Sequence, residues 1–204
     1  MIRCAITEGR LRAGAEPADR QKLLALAARW AAAQVEYIQF REKDLPVAEL
    51  EQLACAINGI LSAAGGKTKL LVNSRADIAI AAGGAGVHLT AAPDGLTPTQ
   101  VRALFANAGR PAPVISVSCH TLDEVIRASR EQVDLILFGP VFGKTVAGIE
   151  VTPAAGLDAL RSACVAAGEI PVLALGGVSD ANTAECLAAG AKGIAGIRLF
   201  AGNI

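Results

Sequence analysis

A chain of 204 residues holds one substantial core and is short for two, so residues 1–204 are read as a single domain. Its 19 Lys and Arg cancel 19 Asp and Glu, and no basic cluster stands out, which argues against a nucleic-acid partner. Hydrophobic residues make up 52% but aromatics only 3%, so the core must be built from Ala, Val, Leu and Ile.

Taken in chain order, short apolar runs alternate with amphipathic stretches. A strand at 2–7 precedes a helix at 19–33; a strand at 37–40 precedes a helix at 46–64; a strand at 69–72 precedes a helix at 76–82. The pattern continues with strands at 86–89, 114–118 and 135–138, whose following helices are predicted at 97–106, 122–130 and 153–167. A strand at 172–175, a helix at 181–188 and an eighth strand at 193–197 complete it, with room only for a helical stub thereafter. Thr121 before Leu122, Thr152 before Pro153 and Asp180 before Ala181 are predicted helix starts. Strict alternation means parallel strands joined by helices, and eight strands fit an α/β fold of the (β/α)₈ TIM-barrel type, with a doubly wound open sheet as the competitor.

The longest uncharged stretch, 78–93, is interrupted by Gly83, Gly84, Gly86 and His88, and residues 1–10 carry Arg3, Glu8 and Arg10. A cytoplasmic protein with no membrane partner is therefore expected. Cys4, Cys55, Cys119, Cys164 and Cys186 form no CxxC pair, so they are read as reduced packing residues, with neither a disulfide framework nor a metal site.

In such barrels the active site lies at the C-terminal ends of the strands. Residues there include Gln39, Arg41, Glu42, Lys43 and Asp44 after the second strand, Asn73 and Arg75 after the third, and His88 at the fourth. Ser118, Cys119 and His120 follow the fifth. Alternation along an extended strand puts Arg41 and Lys43 on one side, suited to a diphosphate or carboxylate, although ion pairs with Glu42 and Asp44 would explain them equally well. Gly176 and Gly177 end the seventh strand, and Gly196, Ile197 and Arg198 close the eighth, where backbone N–H groups and a helix start favour a phosphate; paired glycines can also merely permit a tight turn. His120, one of two histidines, has a side chain suited to proton transfer near neutral pH, against surface exposure at a helix start. His88 lies inside an apolar run and reads as a core histidine. Cys119 has no paired base, which disfavours a thiol nucleophile.

The segments IQFREKD (38–44), LLVNSRADIAIAAGGAGVHL (70–89), VSCHTLDEV (117–125), DLILFGPVF (134–142), PVLALGGV (171–178) and AGAKGIAGI (189–197) resemble, in order over the whole chain, the thiamin phosphate synthase and TenI (thiazole tautomerase) family. The resemblance implies a (β/α)₈ barrel and a phosphorylated thiazole as ligand. It puts Gln39, Arg41, Lys43 and Asn73 on the side of a pyrimidine diphosphate and Gly176, Gly177 and Ile197 on the thiazole-phosphate side; Ser118 and Lys144 are taken as further substrate residues, and Gly196 and Arg198 as further phosphate residues. Synthases of the family hold magnesium with acidic residues where this chain has Ser74 and Pro93, with Asp94 displaced by one position. Their Thr-rich loop is reduced here to Gly143-Lys144-Thr145, and Arg198 replaces a usual Ser. These departures favour thiazole tautomerisation with His120 as general acid/base and no cofactor. The alternatives are thiamin phosphate synthase, with magnesium, and a non-catalytic thiazole-phosphate binder. A homo-oligomer is left open.

Overall fold

The computed structural model describes residues 1–90, 94–146 and 149–201, with the backbone alone described for 144–146 and 149–152. Eight parallel strands close into a barrel: β1 (Ile2–Ile6), β2 (Tyr37–Phe40), β3 (Lys69–Asn73), β4 (Gly86–Thr90), β5 (Val114–Cys119), β6 (Leu135–Phe138), β9 (Val172–Leu175) and β10 (Gly193–Gly196). β1 pairs with both β2 and β10, which closes the ring and excludes the open doubly wound sheet. Between them run α1 (Pro17–Ala32), α2 (Val47–Ala63), α3 (Ala76–Ala81), α4 (Pro98–Asn107), α5 (Leu122–Arg130), α6 (Gly156–Ala167) and α7 (Thr183–Ala188). None is long and apolar enough to cross a membrane, among the described residues.

Strand alternation sorts the core into two layers. Cys4, Ile6, Leu135, Leu137, Leu173 and Ala195, with Tyr37, Leu175 and Ile197 against them, fill the barrel interior. Ile38, Phe40, Leu70, Val72, Val87, Ile115, Val117, Ile136 and Phe138 face outward against the helices. Trp30 of α1 is fully buried there and donates its indole N–H to the Phe200 carbonyl at 2.8 Å, fastening the turn after β10 to the helical layer.

Several helix starts differ from the sequence expectation. Thr121 caps α5 through a full capping box with Glu124, and Thr97 caps α4 likewise with Gln100. Thr152 does not cap α6, which starts at Gly156 after Ala155, and Asp180 does not cap α7, which starts at Thr183. The chain around 152 is instead spent on an antiparallel pair, β7 (Lys144–Val146) with β8 (Ile149–Thr152), where the sequence suggested a short loop. The stub after β10 is a single 3₁₀ turn, Arg198–Phe200.

Candidate active site

The alternation that packs the barrel also aims the mouth. Because Tyr37 points inward, so does Gln39; Arg41 and Lys43 follow just beyond the end of β2, Lys43 exposed in a turn. Gln39 is only 2% exposed, and its Nε2 has no hydrogen-bond partner. An orphaned buried amide costs about 1–3 kcal/mol, a cost that an acceptor on a bound molecule or a water would remove.

Local structure holds Arg41 and Lys43 out of trouble. The Arg41 backbone N–H donates to the buried Thr7 hydroxyl at 2.8 Å. The backbone N–H groups of Gly9 and Leu11 donate to the two carboxylate oxygens of Glu42 at 3.1 and 2.9 Å, which folds the loop after β1 over the end of β2. Gly9 sits at φ +71, and a Cβ there would lie 3.1 Å from the Arg41 carbonyl oxygen, so glycine permits the close approach. Asp44 pairs with Arg12 at 2.9 Å. Glu42 and Asp44 are therefore occupied elsewhere, and Arg41 and Lys43 make no ion pair among the described residues.

A cavity of about 390 Å³ opens beside these two cations, between the ends of β2 and β3. Its walls include Arg41, Glu42, Lys43, Asn73, Ser74 and Arg75, over an apolar floor of Phe40 and Val72. Ser74 is left-handed at φ +56, its backbone N–H donates to the His88 carbonyl at 2.8 Å, and its hydroxyl accepts from Asn73 Nδ2 at 3.2 Å. Arg75 is held by Asp77, with Nε donating to Oδ1 at 2.8 Å and Nη2 to Oδ2. That guanidinium keeps the Asp77 carboxyl below the usual carboxylate range, and Asp77 raises Arg75 in turn.

His88 faces inward and is fully enclosed, as a core histidine should be. Its Nδ1 lies 2.8 Å from the Ser116 hydroxyl and its Nε2 2.8 Å from that of Ser118. Burial, with a smaller effect from Arg41, pushes its pKa down to about 3, so the ring is neutral and orients Ser118 toward the mouth. A histidine with a depressed folded pKa stabilises the fold above its unfolded pKa of about 6.5, and that contribution is lost as pH falls toward 3. Between pH 7.5 and 5 the parent protein is expected to lose about 2 kcal/mol more unfolding free energy than His88→Gln. Denaturant titrations of both proteins at the two pH values measure this; equal losses would refute it.

His120 is exposed at the end of β5. Its backbone N–H donates to Glu124 at the α5 start, and its ring Nδ1 contacts the Gly139 carbonyl beyond β6. A carbonyl partner makes Nδ1 the donor, which leaves Nε2 as an unprotonated nitrogen in the neutral ring. Cys119 is buried, chiefly by desolvation its thiol is pushed up to about 12, and the nucleophile idea has no support.

At the other side of the mouth, Gly176 and Gly177 have φ of +88 and +66. Cβ atoms there would come within 2.5 Å of Pro140 and 2.6 Å of Phe142, so both glycines answer to close packing of the loop after β6. Asn182 closes this turn, accepting from the Ser179 N–H at 2.8 Å and donating to the Gly177 carbonyl at 3.0 Å. Ile197 is half-buried in the barrel and Arg198 is exposed. The Lys144 side chain and Pro93 lie outside the described residues.

A family model described as thiamine monophosphate synthase matches residues 11–200. The chain belongs to the thiamine monophosphate synthase family. It is 37% identical to the thiamine-phosphate synthase of Methanoculleus marisnigri, over 85% of this chain and 77% of that protein. To the thiamine-phosphate synthase of Moorella thermoacetica it is 35% identical, over 81% and 74%. The thiamine phosphate pyrophosphorylase structure from Pyrococcus furiosus superposes with a TM-score of 0.75 at 24% identity, covering 96% of this chain and 85% of that one, a likeness of fold.

Within this member of the thiamine monophosphate synthase family, the magnesium tied to the synthase branch can be tested against the donor set. Magnesium takes oxygen ligands, usually including one or two carboxylates. Among the described residues no three His, Cys, Asp or Glu cluster to hold a metal. Ser74 offers a hydroxyl, Glu42 spends both oxygens on backbone N–H groups, and Asp77 is clamped by Arg75. These residues do not fit the ion. Sequence reading missed the fastening roles of Thr7 and Glu42; a charged residue among cations gave no sign that its partners would be main-chain N–H groups 31 and 33 positions away.

Proposed function

We propose that this chain joins a pyrimidine diphosphate to a thiazole phosphate, the synthase reaction, in preference to the tautomerisation favoured by the sequence. The observation that carries this reading is the buried Gln39 amide, unpartnered at Nε2, followed in the chain by Arg41 and Lys43, two cations without ion-pair partners among the described residues that border one cavity at the end of β2. The amide N–H suits an acceptor nitrogen of a heteroaromatic ring, and the cations suit the diphosphate it bears. The relatives named thiamine-phosphate synthase support the same choice. In the reaction the bond from the pyrimidine methylene carbon to the diphosphate oxygen breaks, its electron pair leaving with pyrophosphate, and the thiazole nitrogen lone pair forms the new C–N bond. Arg41 and Lys43 neutralise charge developing on the departing group, Asn73 and Ser118 flank the ring, and Lys144 joins them at substrate. The thiazole phosphate sits across Gly176, Gly177, Gly196, Ile197 and Arg198.

The isomerase reading keeps one specific observation in its favour. His120 at the mouth has Nδ1 turned to the Gly139 carbonyl, which leaves Nε2 to take and return a proton. A paired assay separates the two: pyrimidine diphosphate plus thiazole phosphate in one vessel, thiazole carboxylate phosphate alone in the other. Thiamin phosphate in the first, at a turnover of roughly 1 per second or more, is the expected result. Aromatised thiazole in the second with none in the first would reverse the assignment, and no product in either would leave only a binding protein.

A further inference from the structure

The cavity between the ends of β2 and β3 carries three cationic side chains, Arg41, Lys43 and Arg75, and, among the described residues, the carboxylate in its wall, Glu42, accepts backbone N–H groups at both oxygens. We propose that this cavity binds diphosphate without a divalent cation, Arg41 and Lys43 supplying the positive charge and Arg75, paired with Asp77, supplying oriented N–H donors. The inference rests on the synthase reading and concerns how its leaving group is held.

Three features point the same way. Arg75 is anchored rather than mobile: Asp77 takes Nε and Nη2 in a paired fork, which fixes the guanidinium plane at the cavity wall and leaves its remaining N–H donors for an anion. Arg41 and Lys43, which make no ion pair among the described residues, repel a second cation as they attract a phosphate, which works against a metal at the same wall. Ser74, the residue next to it, contributes a hydroxyl already accepting from Asn73, a donor set suited to a phosphate oxygen or water and too weak for magnesium. The polar wall thus collects N–H and O–H donors, the complement of an anion.

Titration calorimetry of the full chain with inorganic pyrophosphate tests this, run in EDTA and again in millimolar magnesium. Binding in EDTA is expected, with magnesium changing Kd by less than about threefold. Arg75→Gln should weaken pyrophosphate in EDTA by about tenfold or more, and Arg75→Lys, which keeps the charge but not the fork, should recover little of the loss. Circular dichroism checks that both variants fold, and the metal comparison on the unaltered chain stands without them. Binding that requires magnesium would overturn the inference and leave the synthase reading standing, as would an Arg75→Gln variant that binds like the parent in EDTA. No pyrophosphate binding under either condition would overturn both.

Discussion

Alanine at Gly86 or at Gly193 is expected to prevent folding. Each glycine opens a barrel strand, and each meets its neighbour at a distance no side chain tolerates: a Cβ on Gly86 would lie 1.8 Å from the Val114 carbonyl oxygen, and one on Gly193 would lie 1.8 Å from that of Ile2. The clash falls on backbone, so no rotamer relieves it. β4 would have to leave β5, or β10 leave β1, and a closed barrel cannot open at one seam without losing its register elsewhere. The cost should exceed about 4–5 kcal/mol, a large share of the roughly 5–15 kcal/mol that holds a domain together. Gly59 supplies the contrast. It lies within α2 with open space around its Cβ position, so Gly59→Ala should stabilise by about 0.5–1 kcal/mol by removing the entropy that glycine loses in a helix. Soluble yield and urea midpoints of the three variants decide the matter; a Gly86→Ala protein with the parent's midpoint would mean the strands can separate freely.

The barrel was legible because its signal is periodic. Every predicted strand overlaps an observed one, since an apolar run buried on both faces leaves a plain trace in sequence, and the alternation with helices dictates parallel pairing. Helix boundaries were legible where a cap acts locally, as at Thr121, and illegible where tertiary contact decides, as at Ala155, whose N–H goes to the Pro140 carbonyl across the mouth. The β7–β8 pair was missed because its segments, Lys144–Val146 and Ile149–Thr152, interleave polar with apolar residues and form no apolar run like those of the barrel strands. In the site, parity along β2 put Gln39 inward, whereas Arg41 and Lys43 lie past the end of the strand, where Lys43 is in a turn and alternation no longer fixes its side. Whether Arg41 and Lys43 were neutralised by Glu42 and Asp44 could not be read from adjacency, because the answer depended on Gly9, Leu11 and Arg12 folding back from the loop after β1. Gly176 and Gly177 show the limit from the other direction: a phosphate and a tightly packed loop demand the same residue.

Removing the charge of Arg41 or Lys43 should be the most damaging change to catalysis. Both follow the buried Gln39 amide in the chain, both lack carboxylate partners among the described residues, and both border the cavity proposed to receive the diphosphate. As that group departs it gains negative charge, so a cation fixed beside it stabilises the transition state more than the ground state. Arg41→Gln and Lys43→Gln are each expected to lower kcat/KM for coupling by about 10²–10³, while thiazole-phosphate affinity, assigned by the proposal to the loops after β9 and β10, should change by less than about threefold. His120→Asn provides the counter-test, because coupling moves no proton that only an imidazole could carry. It should cost coupling less than about tenfold, whereas a tautomerase using Nε2 as its acid and base would lose about 10²–10⁴. The four proteins can be compared in one steady-state series with fluorescence detection of the coupled product. Retention of full coupling by both charge variants, together with collapse in His120→Asn, would move the chemistry from the β2 end to the β5 end and return the assignment to proton transfer.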